Sequence, residues 1–369
     1  MSELDYNAAA ARGRQKRLLA EMQALKLDLV IVQQIEHVQW LTGARYPWTM
    51  SPAAALRADG HLTLCAPKKP VLEAAADEVV NYEAQWHSTL RNDQRQAASV
   101  ELLKALSGKP AAKRIGVEFS CFTSYLAALP GERVDIDPTL YRLRRRKDAD
   151  ELARIRKAIA GTRKMYDVAR EIIEPGITEI EVFNRLQSAA VEEFGEMMTG
   201  TGNDYQCGAR GGAPRNNRKA ADGELYILDL GPAYRGYFSD NCRTFAVNRK
   251  PTEEQQTAWT HVMKSFEHIE KTAKPGKNCK ELFQEAQAIL DQAPVGVFNH
   301  HLGHGIGLFP HEGPHLNPNW NDTFEVGDVF TCEPGLYEPQ ILRAGMRIEN
   351  DYVVTESGIE NLSPFPMEL

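Results

Sequence analysis

Two stretches of this 369-residue chain place acids among strand-like, apolar neighbours at spacings that fit paired strands. In the first, Glu224-Leu-Tyr-Ile-Leu-Asp-Leu-Gly231 is followed by Gly236-Tyr-Phe-Ser-Asp-Asn-Cys-Arg-Thr-Phe245, and a hairpin turning at Tyr234-Arg235 sets Asp229 opposite Asp240. In the second, Thr331-Cys-Glu333-Pro-Gly and Arg347-Ile-Glu349 oppose one another in a hairpin centred on Ile341, so that Glu333 faces Glu349. Directly opposed side chains have Cβ atoms roughly 4.5 to 5.5 Å apart, where like charges destabilise the pair. Ile227, Leu228, Phe330 and Ile348 flank these acids, and an ionised carboxylate without a partner is costly in such surroundings. Any one of them, taken singly, reads as a solvated strand residue. Two opposed pairs within apolar strands point instead to cations. Two divalent ions balance four negative charges and, about 3.5 to 4 Å apart, can share a hydroxide nucleophile, which is the chemistry of a hydrolase.

The segment from His300 to His315 holds His300, His301, His304, His311 and His315, interleaved with glycines that allow the backbone to approach a site closely. A single histidine in such a stretch is ordinarily a loop or core residue, and His301 and His315 are expected to be only that. An imidazole joining oxygen ligands suits manganese, cobalt, zinc or iron, and the absence of a thiolate set argues against a soft-metal site. The six cysteines lie far apart with no Cys-x-x-Cys pair, so they read as buried free thiols, Cys332 beside Glu333 included.

Elements that could carry these residues follow from the periodicity. Asp28 to Gln33, His61 to Ala66, Ile115 to Glu118 and Val134 to Ile136 are short β-like runs alternating with helix-compatible stretches, which predicts an α/β amino-terminal domain over residues 1–145. Leu152, Ile155, Ile159, Met165, Val168 and Ile172 then recur at helical spacing and open a second domain, 146–369. Within it, a helix, Pro175-Gly176 and a helix capped by Thr178 and Glu181 are echoed by a helix capped by Thr252 and Gln255, Pro275-Gly276 and a further helix. Strand-like segments follow each half, as a pseudo-symmetric α+β domain requires. Pro-Gly after a helix is common punctuation, however, and by itself this repeat weighs no more than an accident.

Composition narrows the function classes. A net charge of −7 opposes nonspecific attraction to nucleic acid. The run Arg142, Arg144, Arg145, Arg146 and Lys147 is followed at once by Asp148, Asp150 and Glu151, and reads as a solvated linker face. No apolar stretch reaches the ~20 residues of a membrane helix, and residues 1–17 lack a secretory pattern. The expected partners therefore exclude nucleic acid and membrane, and the expected compartment is the cytoplasm.

Asp229-Leu-Gly with Gly-Tyr-Phe-Ser-Asp240-Asn-Cys-Arg-Thr-Phe, Gly-His304-Gly-Ile-Gly-Leu with His311-Glu, Glu333-Pro-Gly and Gly-Met-Arg-Ile-Glu349 together resemble the creatinase and Xaa-Pro peptidase family of pita-bread metallohydrolases. Leu-Thr-Gly43, Ile-Gly-Val-Glu118, Arg142-Leu-Arg-Arg and Glu174-Pro-Gly-Ile-Thr are similar to its smaller amino-terminal domain and junction. The resemblance implies two divalent metals, manganese foremost, with Asp229, Asp240, His304, Glu333 and Glu349 as ligands. It further implies Glu333 as a proton shuttle, His311 at the scissile carbonyl, His300 on the substrate side, Arg347 and Tyr337 orienting the carboxylates with Tyr337 near substrate, and a homodimer. The implied reaction is hydrolysis of an amide in a small peptide, as in an Xaa-Pro dipeptidase (prolidase) or aminopeptidase. One departure stands out: where proline-directed members carry a histidine after a proline, this chain reads Gly211-Gly-Ala-Pro214-Arg215-Asn-Asn-Arg218. Arginine cannot act as a neutral imidazole but can fork a carboxylate, so Arg215 or Arg218 is expected to meet a substrate carboxylate or else to be a solvated loop residue. The alternatives are a small non-peptide amide or amidine as substrate, or a non-catalytic binding protein of the same fold.

Overall fold

The computed structural model describes residues 4–202 and 204–369 and divides into two compact units, Met1–Arg144 and Arg145–Leu369. The amino-terminal unit is built on a six-stranded mixed sheet in the order Glu78–Tyr82, Leu62–Pro67, Ala53–Arg57, Leu29–Val32, Arg114–Val117, Glu132–Asp135. Leu29–Val32 is apolar and buried at every position, as a central strand covered on both faces must be. Leu102 and Leu106 of the helix Gln94–Ser107 pack with Leu29, Ile31, Ala53 and Val117 in one core. Ala53–Arg57 and Glu78–Tyr82 are strands that periodicity does not announce. The first is largely alanine, a weak strand former, and the second lies at the sheet edge with alternate residues exposed.

The basic run is solvated only in part, at Arg142 and Arg146. Asp137–Arg145 is a helix, and its Arg144 is buried against His37, with Nη1 2.9 Å from Nε2. Glu118 holds the other ring nitrogen of His37 and accepts the backbone N–H of Gln33 and Gln34. In the carboxyl-terminal unit Arg145 pairs with Asp328 at 2.6 Å and the buried Lys147 with Glu312 at 3.2 Å. The acids that neutralise this run lie far away in sequence, where charge counting along the chain cannot find them.

In the carboxyl-terminal unit the internal repeat is real. Helices Ala149–Ile172 and Glu179–Phe194 form one pair, Glu253–Thr272 and Cys279–Leu290 the other. Gly176 and Gly276 break them at φ of +97° and +84°, a conformation that glycine enters without a Cβ penalty. Gly176 N–H donates to Ala220 and Ala220 N–H to Ile177; Gly276 N–H donates to Phe324 and Phe324 N–H to Lys277. Each following helix is capped alike, Thr178 accepting from Glu181 N–H and Asn278 from Glu281 N–H, both at 3.1 Å.

Each half then supplies strands. Asn241–Ala246, Leu225–Leu230 and Asp204–Cys207 form a three-stranded antiparallel sheet. Glu312–Leu316, Gly303–Gly305, Val329–Cys332, Asn350–Val354 and Ile359–Asn361 form a five-stranded one. Leu282, Ala286, Phe324, Phe330, Ile348 and Tyr352 are buried between the second helix pair and its strands, and Cys332 packs among them. All six cysteines are free, and only Cys121 is not fully buried.

Candidate metal centre

The carboxyl-terminal hairpin runs in the register expected of it. Val329 pairs with Val353 and Cys332 with Asn350, and beyond them Gly335 pairs with Arg347 and Leu336 with Met346. Continuation of that ladder across the gap sets Glu333 opposite Glu349. The other hairpin is offset from its expected register. Leu230 pairs with Asn241, Asp229 with Cys242 and Tyr234 with Tyr237, so the turn lies at Arg235-Gly236, one residue later than Tyr234-Arg235. Both turn residues have positive φ, +48° and +90°, the two-residue turn whose twist matches paired strands. Asp240 is therefore displaced by two positions from Asp229 rather than opposed to it. Because strand side chains alternate with a period of two, that offset leaves both acids on one face.

The acids converge all the same. Oxygens of Asp229, Asp240 and Glu349 lie within 4.8 Å of one another, as do ligand atoms of His304, Glu333 and Glu349. Burial and mutual repulsion govern their protonation. Burial drives Asp229 up to about 6, with Arg347 opposing the rise. Burial also raises Asp240 and Glu349 well above the ordinary range, and the neighbouring carboxylates add to it. Glu333 behaves oppositely: burial pushes it up, but the hydrogen bond and charge of His301, with the surrounding imidazoles, outweigh this and hold it near 2. Burial brings His304 down to about 3, which keeps its ring neutral and able to ligate. Both oxygens of Glu349 are buried without a hydrogen-bond partner. Buried polar atoms are normally satisfied, and a pair of orphaned carboxylate oxygens facing two further acids fits a cation. The donor set of oxygens with imidazole suits hard or borderline divalent metals.

A hydrogen-bonded chain fixes the groups behind these acids. Arg347 donates through Nε and Nη2 to Asp229 Oδ2 at 3.1 and 2.7 Å, through Nη2 also to Asp204, and through Nη1 to the Tyr337 hydroxyl at 3.1 Å. That hydroxyl lies 3.0 Å from His300 Nε2, and His300 Nδ1 lies 2.7 Å from the His301 carbonyl. With the carbonyl able only to accept, His300 is protonated at Nδ1 and receives the Tyr337 proton at Nε2. Burial lowers His300 to about 4, consistent with this neutral tautomer. Tyr337 is thereby buried and spent between Arg347 and His300.

A cavity of about 210 Å³ opens onto the acids. Asp229, Asp240, Glu333 and Glu349 line it together with His300, His301, His304, His311, Arg347 and Arg210. The His311 ring stacks on His304 at 3.7 Å. His301, expected to be a loop residue, lines the cavity with Nε2 3.0 Å from Glu333 Oε1. His315 pairs instead with Asp322 and stacks on Trp320. Arg215 does not meet the cavity. Its guanidinium closes on the buried Glu179 at 2.6 Å and on the Cys207 carbonyl at 2.6 Å, and Glu179 also accepts the Arg215 and Cys207 backbone N–H groups. Arg218 is likewise spent, on Glu224. The arginine that lines the cavity beside Arg347 is Arg210, its guanidinium 4.2 Å from the centre of the Tyr337 ring. Neither Arg210 nor Asp204 is marked by a paired acid or a spacing in the sequence; the pairing of Asp204 with Asp229 across the sheet and the stacking of Arg210 on Tyr337 reveal them.

A pseudo-symmetric α+β unit whose two halves each deliver acids to one cleft, following a mixed α/β unit, defines the two-domain, pita-bread class of metallohydrolases. The chain belongs to metallopeptidase family M24, whose model matches residues 153–356, and residues 14–146 match the creatinase/prolidase amino-terminal domain. An uncharacterized peptidase of Staphylococcus epidermidis is 33% identical over 235 residues, covering 63% of this chain and 66% of that protein, just under two thirds of its length. Its Staphylococcus aureus counterpart is 32% identical over the same span. Among solved structures, the prolidase from Pyrococcus furiosus superposes with a TM-score of 0.79 at 25% identity, over 94% of this chain and 99% of that one. The Xaa-Pro dipeptidase from Bacillus anthracis shares the fold with a TM-score of 0.83 at 23% identity, over 97% and 99%. Among the described residues no helix is long and apolar enough to cross a membrane.

Proposed function

We propose that the chain is a metal-dependent hydrolase of amide bonds in small peptides, acting on Xaa-Pro dipeptides or on the amino end of longer Xaa-Pro peptides. The observation that carries this reading is Glu349, whose two buried oxygens have no partner while facing Asp229 and Asp240. Asp229, Asp240, His304, Glu333 and Glu349 would hold two divalent cations, with manganese the expected metal and zinc, cobalt or iron able to replace it. When bound, the metals supply Lewis-acid polarisation of a carbonyl and a water nucleophile at neutral pH.

The remaining roles belong to side chains. Glu333, kept ionised by His301, takes the proton of the attacking water and delivers it to the departing amide nitrogen. His311 stands at the cavity mouth, where it meets the oxygen that becomes negative in the tetrahedral intermediate. His300, its tautomer set by the His301 carbonyl, lines the substrate side. Arg347 fixes Asp229 from behind, as groups outside a metal's ligand ring generally do. Proline after the cleaved bond suits such a specialised site, because its tertiary amide lacks the N–H that general proteases use. The P. furiosus relative is by its name a prolidase.

A second reading, a small non-peptide amide or amidine as substrate, draws on the segment where Arg215 stands in place of a histidine and is closed on Glu179. A non-catalytic binding role would have no need of the orphaned Glu349. A homodimer and a cytoplasmic location complete the proposal, and light scattering on the purified chain checks the first. Its substrate test is hydrolysis by the manganese-loaded protein of Xaa-Pro dipeptides, longer Xaa-Pro peptides and non-proline controls. Cleavage confined to proline-containing peptides supports the reading. Cleavage of none, with metal bound, turns the assignment to non-peptide amides.

A further inference from the structure

We propose that Asp204 is a positioning residue that joins the metal affinity of the centre to the order of the loop beside the cavity, one of its carboxylate oxygens serving Arg347 and the other serving residues 211–213. The inference rests on the metal-dependent reading above and concerns what governs that centre.

Four carboxylates line the cavity, and Asp204 adds an acid beside them whose two oxygens are both engaged elsewhere. It pairs directly with Asp229 across the antiparallel sheet, where like charges facing each other destabilise the pair. Arg347 resolves that repulsion, since its Nη2 donates to Oδ2 of both acids. A buried guanidinium next to a cation site is otherwise a handicap, because its charge cancels that of Asp229, the acid a divalent ion is to meet. The Asp204 carboxylate offsets the guanidinium in turn. Asp229 is then held by Arg347 without losing its charge to it.

The other oxygen organises the loop. Asp204 Oδ1 accepts the Gly212 N–H at 2.6 Å, the Gly212 carbonyl accepts the Tyr205 N–H at 2.8 Å, and Gln206 Nε2 donates to the Ala213 carbonyl at 2.7 Å. Residues 211–213 thus fold back over the strand that carries Asp204. Two glycines make this possible. A Cβ on Gly211 would stand 2.2 Å from Asp204 Oδ2, and Gly212 has a φ of +123°, which side chains with a Cβ rarely adopt. The circuit closes on its far side: Arg210, in the same loop, lies over the Tyr337 ring, and the Tyr337 hydroxyl accepts from Arg347 Nη1. Asp204 is the residue bonded both to the loop and to the guanidinium that grips Asp229.

A tie of this kind acts in both directions. Cations that fix Asp229 also fix Arg347 and, through it, Asp204, and the Gly212 N–H gains a steadier acceptor. The Gly212 amide is accordingly the reporter.

The test measures hydrogen exchange at Gly212 and calorimetric manganese binding in the full chain, metal-stripped and manganese-loaded, for wild type, Asp204→Asn and Asp204→Ala. Asparagine keeps an oxygen for the Gly212 N–H but turns an NH2 group toward Arg347, donor against donor, so it cuts one tie and leaves the other. Manganese should slow Gly212 exchange in wild type on the order of tenfold. In Asp204→Asn the stripped protein should exchange Gly212 at the wild-type rate, manganese should no longer slow it, and manganese affinity should fall on the order of tenfold. Asp204→Ala should lose both ties, with fast Gly212 exchange whether or not manganese is bound. Wild-type affinity and manganese-dependent protection both kept in Asp204→Asn overturn the proposal, as does a wild type that binds manganese with no change at Gly212. Wild type that binds no manganese defeats the metal reading itself, and the proposal falls with it.

Discussion

Arg347 spends both Nε and Nη2 on one oxygen of Asp229, Oδ2, at 3.1 and 2.7 Å, which leaves Oδ1 clear of the guanidinium. A planar fork gripping a single oxygen fixes the direction in which the carboxylate presents the other. Asp204 and the Tyr337 hydroxyl fix the guanidinium in turn. Asp229 is therefore aimed before any cation arrives.

Arg347→Lys keeps the charge and loses the fork. Lysine cannot reach Asp229, Asp204 and Tyr337 in one plane, so manganese affinity should fall about 10- to 100-fold, the usual range for loss of a group that orients a ligand. Calorimetric titration of the metal-stripped variant measures it. Affinity equal to wild type would remove Arg347 from the positioning role.

Metal-induced stabilisation should grow with pH. Folding raises Asp229 from its ordinary 3.8 to about 6, so in the metal-free protein this group's contribution is fully present below about pH 4 and is lost as pH rises through about 6. The loss amounts to roughly 3 kcal/mol for Asp229 alone. Asp240 and Glu349, raised further, extend the loss to higher pH. Cations relieve the repulsion among the ionised acids. The gap in Tm between manganese-loaded and stripped protein should accordingly widen from about pH 5 to about pH 8. A gap that narrows over this range would contradict the electrostatic account of the centre.

Arg215→Ala should act on folding rather than on metal binding. It leaves Glu179, a fully buried carboxylate, with backbone N–H groups but no counter-charge. Breaking a buried pair costs about 3 to 5 kcal/mol, and because Arg215 is itself 40% exposed a loss of about 2 to 3 kcal/mol is expected. Urea denaturation reads the loss, and metal analysis should find manganese content unchanged. Unchanged stability would refute this role of the Arg215–Glu179 pair.

How much of this was legible in the chain varies from residue to residue. Glu333 and Glu349 could be set opposite one another because their ladder continues without a bulge on either side of the gap. Asp229 and Asp240 could be placed on one face but not in register, since the turn lies at Arg235-Gly236 and only the glycine at its second position hints at this. The Pro-Gly repeat is ambiguous as sequence alone, and the matched hydrogen bonds of Gly176 and Gly276 give it content. Glu179 captures Arg215 from the start of a helix, across 36 positions, and no local pattern encodes such a meeting. Asp204 and Arg210 acquire their roles from neighbours in the sheet and from the Tyr337 ring, which sequence spacing does not express.

The most direct measurement titrates manganese into the metal-stripped protein while following bound metal and Ala-Pro hydrolysis together, with Glu349→Gln alongside. Hydrolysis should be absent without metal and rise to a plateau at about two bound ions per chain, and Glu349→Gln should lose both the binding and the turnover. Full hydrolysis by the stripped protein, or a wild type that binds no manganese, would contradict the metal centre on which this account depends.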